Sequence, residues 1–259
     1  MGVPVAVDCG GSMGSQLASH VRSVWEWCLR SDHAAPAATV RAVLDPSSAV
    51  VASASASGAV SHTDPLVMED WLAPRITISA IEQMAGRALM LHACVLANPA
   101  TGDAAILVGR SGAGKTTMAR TLGTSLAYVT DETALVSEDH LVTPFPKPLS
   151  VFRSSDGGLK AQRPPSSLGL VAPPPAPIRA VAVLLVDRRE DAPASPVTSP
   201  VPTLEGLSQI SEHTSYLKRL DSPLHRLAAL FEACGGLQQV SYQESADLLP
   251  VVQSLVGAS

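Results

Sequence analysis

The chain has 259 residues, 46% of them hydrophobic, and a formal net charge of −5 at pH 7. A chain of that length buries a substantial core, enough for one large α/β domain or a small domain beside a larger one, and its acidic balance speaks against a nucleic-acid partner, because phosphate backbones are held by clustered Lys and Arg. No apolar run approaches the roughly 20 residues of a membrane helix, the opening residues with Asp8 do not read as a secretory signal, and the widely spaced Cys9, Cys28, Cys94 and Cys234 read as free thiols of a reducing cytosol, so no membrane partner and a cytoplasmic location are expected.

Residues 1–75 predict a small β-rich N-terminal lobe, with one helix over 20–30 among short alternating or small-residue stretches at 40–44 and 49–59. Within it, Asp8-Cys9-Gly10-Gly11-Ser12 has the glycine content of a sugar-kinase phosphate loop, but the companion motifs are not evident and a glycine turn accounts for it. Residues 76–259 form the expected nucleotide-binding part. A helix over 76–91 leads into it, and residues 89–96 carry His92 into a strand. The chain then turns through Asn98-Pro99-Ala100-Thr101-Gly102-Asp103 into an apolar strand, 104–108.

That strand runs into Gly109-Arg110-Ser111-Gly112-Ala113-Gly114-Lys115-Thr116-Thr117, a full match to the phosphate-cradling pattern G-x-x-x-x-G-K-[ST] between a strand and a helix. The glycines let successive N–H groups point at phosphate oxygens, and the helix that opens at Lys115 adds its positive dipole end. The expected nucleotide-binding residues are therefore Gly109, Ser111, Gly112, Ala113, Gly114, Lys115, Thr116 and Thr117. The lysine would reach the β- and γ-phosphates and the Thr116 hydroxyl would join the Mg²⁺ shell, so ATP and Mg²⁺ are the expected ligands. The helix, 115–122, stops at Gly123, and a short strand, 126–130, delivers Asp131 and Glu132. Such a compact unit puts a carboxylate beside the γ-phosphate, where it holds Mg²⁺ or takes a proton from an incoming hydroxyl. Both acids are candidates for both tasks.

Further on, Lys147 and Arg153 are candidates to stabilise transferred charge or, for Arg153, to hold a substrate carboxylate. Proline-rich loops at 164–177 and 193–202 bracket an apolar strand, 180–186, that ends at Asp187. A helical C-terminal region follows, with helices at 223–234 and 245–256 around a strand at 237–242. The histidines His20, His33, His62, His140, His213 and His225 have no spacing that singles them out.

His92-Ala93, Gly109 to Thr117 and Asp131-Glu132 occur in an order that resembles the nucleotide-binding core of HPr kinase/phosphorylase and its relatives, which share a phosphate-loop fold with phosphoenolpyruvate carboxykinase. The likeness covers residues 88–137. It implies an α/β phosphate-loop kinase core and catalytic roles for His92, Lys115, Asp131 and Glu132. Thr116 with one of the acids would hold the metal, and Asp131 would accept the hydroxyl proton. The second acid is Glu132 where the family has Asp, one methylene longer. No counterpart of the part that recognises HPr is evident, so neither that substrate nor the phosphorolytic back-reaction is implied. Pro144-Phe145-Pro146-Lys147-Pro148-Leu149-Ser150 is similar to a Pro-x-Pro-Lys-Pro stretch in the branch that phosphorylates a C-terminal serine of lasso-peptide precursors. The resemblance thus implies a peptide serine as acceptor, and a homo-oligomer, since relatives often form hexamers. A small-molecule alcohol or amino-acid kinase, and a nucleotide-dependent switch or accessory protein, are the alternatives.

Overall fold

A computed structural model describes residues 1–31, 34–153 and 158–258; His33 lies outside the described residues. In chain order the elements begin with β1 (Val5–Gly10), α1 (Gly14–Val24), β2 (Ala38–Leu44), α2 (Ser48–Ala56), β3 (Val60–His62) and α3 (Pro65–Gln83). Then come β4 (Leu89–Leu91), β5 (Ala93–Ala97), β6 (Asp103–Val108), α4 (Lys115–Leu122), β7 (Ala127–Thr130), β8 (Ala134–Val136) and β9 (Val142–Thr143). A hairpin follows, β10 (Leu149–Phe152) and β11 (Lys160–Arg163), and the rest is β12 (Arg179–Arg188), β13 (Thr198–Pro200), α5 (Thr203–Ser211), α6 (Pro223–Ala233), β14 (Leu237–Tyr242) and α7 (Leu249–Leu255). The fold is mixed α/β. It divides into one compact unit of residues 1–84 and 147–167 and another of residues 85–146 and 168–259. The expected boundary at 75 and 76 falls inside α3.

The first unit is more helical than a β-rich lobe. Its sheet is β1-β2-β3, parallel throughout, and parallel neighbours need crossovers, which α1 and α2 supply. Residues 49–59, expected as a strand-like stretch, instead lie mainly in α2, whose first turn is capped by the Ser47 hydroxyl accepting from the Val50 N–H. The helix expected over 20–30 starts earlier, at Gly14, and ends at Val24. Likewise the helix expected over 76–91 is α3, entered through an Asp64 cap and Pro65 in its first turn and finished by Gln83; Leu89–Leu91 is a strand that pairs with β8.

In the second unit six strands run in the order β13-β14-β12-β6-β5-β7. Because β6, β12 and β14 are parallel while β5 is antiparallel to both β6 and β7, the carboxyl ends of β6, β7, β12 and β14 share one edge with the start of β5. β5 and its neighbour at the end of the sheet, β7, are buried at every residue, which explains why they read as continuous apolar runs without alternation. A three-stranded sheet, β4-β8-β9, extends the unit, α4 packs on β5, and α6 packs on β12 and β4. Pro200 sits on the terminal strand β13, where the missing N–H is tolerated. No helix among the described residues is long and apolar enough to cross a membrane.

Candidate phosphoryl-transfer site

The shared edge of the second unit gathers most of the residues singled out in the sequence. The loop 109–114 joins β6 to α4, with Gly112 at φ 86° and Gly114 at φ 84°. That backbone region costs an L side chain strain, and the left-handed Gly114 lets the chain enter α4 at Lys115. Gly109 answers a close approach: a Cβ there would lie 2.9 Å from Val186 Cγ2 and 3.0 Å from the Val186 carbonyl oxygen. Gly109→Ala is therefore expected to push the loop away from β12 at a cost of about 1–3 kcal/mol, read as a lower Tm, and to weaken nucleotide binding measured by titration with a fluorescent ATP analogue. Unchanged values for both would mean that the contact is absorbed elsewhere.

Lys115 is buried, and its Nζ crosses the loop to donate to the carbonyls of Gly109 at 2.7 Å and Arg110 at 3.0 Å. Burial pushes the Lys115 pKa down, while the carboxylates of Glu132 and Asp131 raise it. Thr116 donates its hydroxyl to Asp131 Oδ2 at 2.8 Å, and the hydroxyl of Tyr128 donates to Asp131 Oδ1 at 2.9 Å. Asp131 itself is 3% exposed. It is thus fixed by α4 on one side and by its own strand β7 on the other.

Glu132 points elsewhere. Its carbonyl accepts from His92 Nδ1 at 2.9 Å, and its carboxylate oxygen Oε1 lies 3.6 Å from the same nitrogen. Both side chains keep more than a third of their surface exposed, 38% for His92 and 37% for Glu132, so this pair meets solvent or a ligand where Asp131 does not. Burial, followed by the charge of Lys115, pushes the His92 pKa below 6.5, against the pull of Glu132 and Asp131. With Nδ1 engaged as donor, the neutral ring presents Nε2 as an acceptor.

Two residues come to this edge that sequence spacing did not mark. His213, just after α5, accepts a hydrogen bond on its carbonyl from the His92 N–H at 2.7 Å. Tyr242, the last residue of β14, donates its hydroxyl to the Ala113 carbonyl and braces the loop from below. The alternation of β14 hints at an inward Tyr242; nothing local in the chain points to His213, because its neighbour is set by the long-range pairing of Leu91 with Thr214.

Lys147 and Arg153 belong to the first unit. Lys147 is buried and donates to the Pro148 carbonyl at 3.2 Å. The Arg153 guanidinium is engaged by Glu69 Oε2, while Glu69 Oε1 accepts from the Gln162 N–H at 2.9 Å and lies 3.2 Å from His20 Nε2. Burial of Glu69 pushes its pKa up, but the bonds from His20 and Gln162 and the charges of His20 and Arg153 outweigh it, and the carboxyl sits below its ordinary 4.5. A depressed carboxyl pKa contributes stability that is present above pH 4.5 and lost as pH falls through the folded-state value. Glu69→Ala should cost about 3 kcal/mol, the low end for breaking a buried ion pair because Arg153 keeps part of its surface in water, and should flatten the acid limb of a Tm-against-pH curve. A variant with the wild-type acid limb would show that Glu69 is not the group titrating there.

No protein-family model matches the chain, and a search of curated proteins finds no match.

Proposed function

We propose that the protein is an ATP- and Mg²⁺-dependent kinase of the HPr kinase-like type that transfers the γ-phosphoryl group to a serine hydroxyl, on a ribosomally made peptide precursor. The observation that carries this reading is the convergence of Lys115 in a glycine-rich loop, the Thr116–Asp131 bond, and the half-exposed Glu132–His92 pair at one sheet edge. Open α/β sheets hold ligands at the carboxyl ends of their strands.

The hydroxyl of Thr116 and the carboxylate of Asp131 are hard oxygen donors that suit Mg²⁺, an ion that keeps several waters and takes one or two carboxylates at phosphate sites. When bound, the ion neutralises phosphate charge and polarises the transferred group. The loop N–H groups and Lys115 bind the phosphates and are placed for charge that develops during transfer. The acceptor oxygen bonds to the γ-phosphorus as the bond to the bridging oxygen breaks and ADP leaves. Glu132 takes the hydroxyl proton, and His92 Nε2 orients that hydroxyl. We assign the metal role to Asp131, bonded to the Thr116 hydroxyl and 3% exposed, and the base role to Glu132, whose side chain keeps 37% of its surface accessible to an acceptor. Incubation with Mg·ATP and a peptide ending in serine, its Ser→Ala form and free serine tests the reading by mass. A gain of one phosphate on the peptide alone supports it, labelling of free serine alone points to a small-molecule kinase, and no labelling despite nucleotide binding points to a switch protein.

A further inference from the structure

We propose that the cavity beside the glycine-rich loop seats the phosphoryl acceptor, a polar hydroxyl-bearing chain contacted there by His213. This rests on the kinase reading above. The cavity measures about 600 Å³ and is walled by Gly109, Arg110 and Ala113 of the loop, by the end of β12, by Gln209, Glu212 and His213 at the end of α5, and by Gln239 of β14. Its size is that of a small-ligand cleft, about 300–1,000 Å³.

Its wall is held to the transfer site by backbone bonds. The His92 N–H donates to the His213 carbonyl at 2.7 Å, and the Ser215 N–H donates to the Met90 carbonyl at 2.9 Å. The end of α5 is therefore tied to the strand segment that delivers His92, so an acceptor lying in the cavity has the loop on one side and His92 nearby. The His213 imidazole senses the same charges, since burial, then Lys115, His92 and Arg110, push its pKa down from 6.5 against the pull of Glu212. A neutral ring offers one donor and one acceptor to a hydroxyl or an amide.

The lining favours the acceptor over the nucleoside. A purine ring is held by apolar or large aromatic walls, yet the residues around this cavity include no Phe, Tyr or Trp and are mostly polar, with Arg110, Asp187, Arg188, Gln209, Glu212, His213 and Gln239 among them. Amide side chains such as Gln209 and Gln239 both donate and accept, which matches a peptide main chain.

The test uses the full chain and three variants, Gln239→Trp to fill the cavity, His213→Ala and Gln209→Ala. Affinity for Mg·ATP is read with a fluorescent ATP analogue, and transfer of γ-label is read on a serine-ended peptide and on water. Gln239→Trp should hold the nucleotide Kd within about twofold while transfer to the peptide falls at least about tenfold, and His213→Ala should raise the peptide KM about tenfold, the loss of one hydrogen bond, with the ATP KM unmoved. Should Gln239→Trp fail to fold, as judged by its melting curve, His213→Ala and Gln209→Ala carry the same comparison. Weakened nucleotide binding in step with transfer would make the cavity a nucleoside seat, and unchanged values for both would place it outside the site; either overturns the proposal. A wild-type chain that labels peptide while the variants label it equally sinks only this inference. A wild-type chain that binds Mg·ATP and passes label to neither peptide nor water sinks the kinase reading and this inference together.

Discussion

Lys115→Ala is expected to lower phosphoryl transfer by at least about 10²–10³-fold, the loss that follows removal of one preorganised electrostatic contact at a transition state. The ammonium is the charge that bridges the loop, held by the Gly109 and Arg110 carbonyls. The fold should survive. Burying an ammonium costs desolvation, so truncating the side chain removes an unfavourable contribution along with two hydrogen bonds, and Tm should move little. Lys115→Arg should not restore transfer, because a planar guanidinium cannot occupy the space of a compact ammonium between two carbonyls. Turnover of γ-labelled ATP and melting temperature, compared across the three proteins, check this. Wild-type turnover in Lys115→Ala would remove the loop from the chemistry.

The second large effect separates the two acids. Asp131→Asn is expected to weaken Mg²⁺-dependent nucleotide binding about 10- to 100-fold, the range seen when a group that orients a metal site is lost, because Asp131 is buried and bonded to the Thr116 hydroxyl. Glu132→Gln is expected to keep nucleotide affinity and to lose about 10²–10⁴ in transfer rate, the contribution of a positioned general base. Titration of the nucleotide with and without Mg²⁺, followed by single-turnover transfer, resolves the two. The opposite pattern, with Asp131→Asn losing rate alone, would return the base role to Asp131.

The parts of the molecule that sequence alone made legible are the local ones. The pattern around Gly109 to Thr117 predicts a strand, a loop and a helix over 115–122, and α4 is Lys115–Leu122. Strands at 126–130, 180–186 and 237–242 correspond to β7, β12 and β14, since apolar runs bounded by turn residues carry their own signal. The helix expected over 245–256 is a short 3-10 turn, Ser245–Leu248, continued by α7. Other signals mislead. Pro74 stands inside α3, so a rule that ends helices at proline hides the helix that precedes it. The run Ser48–Ala56 mixes Val, Ala and Ser with no apolar stripe, and only the capping Ser47 marks it as α2. α5 lies after a proline-rich loop and carries no sequence signal strong enough to mark it, so the chain alone offers no partner for His213. Its place beside His92 depends on Leu91 meeting Thr214 across more than a hundred residues, and a contact of that sequence separation leaves no periodic trace in the chain. Arg153, legible as a free cation, is engaged by Glu69 through the packing of α3 against β11.

The most direct test is stoichiometric. The full chain is incubated with Mg·ATP and a peptide ending in serine, and ADP and phosphopeptide are counted in the same reaction, with Lys115→Ala as the control. One phosphopeptide for each ADP, with both lost in the control, is the predicted result. ADP formed without phosphopeptide, at a rate the peptide does not change, would contradict phosphoryl transfer to a peptide serine.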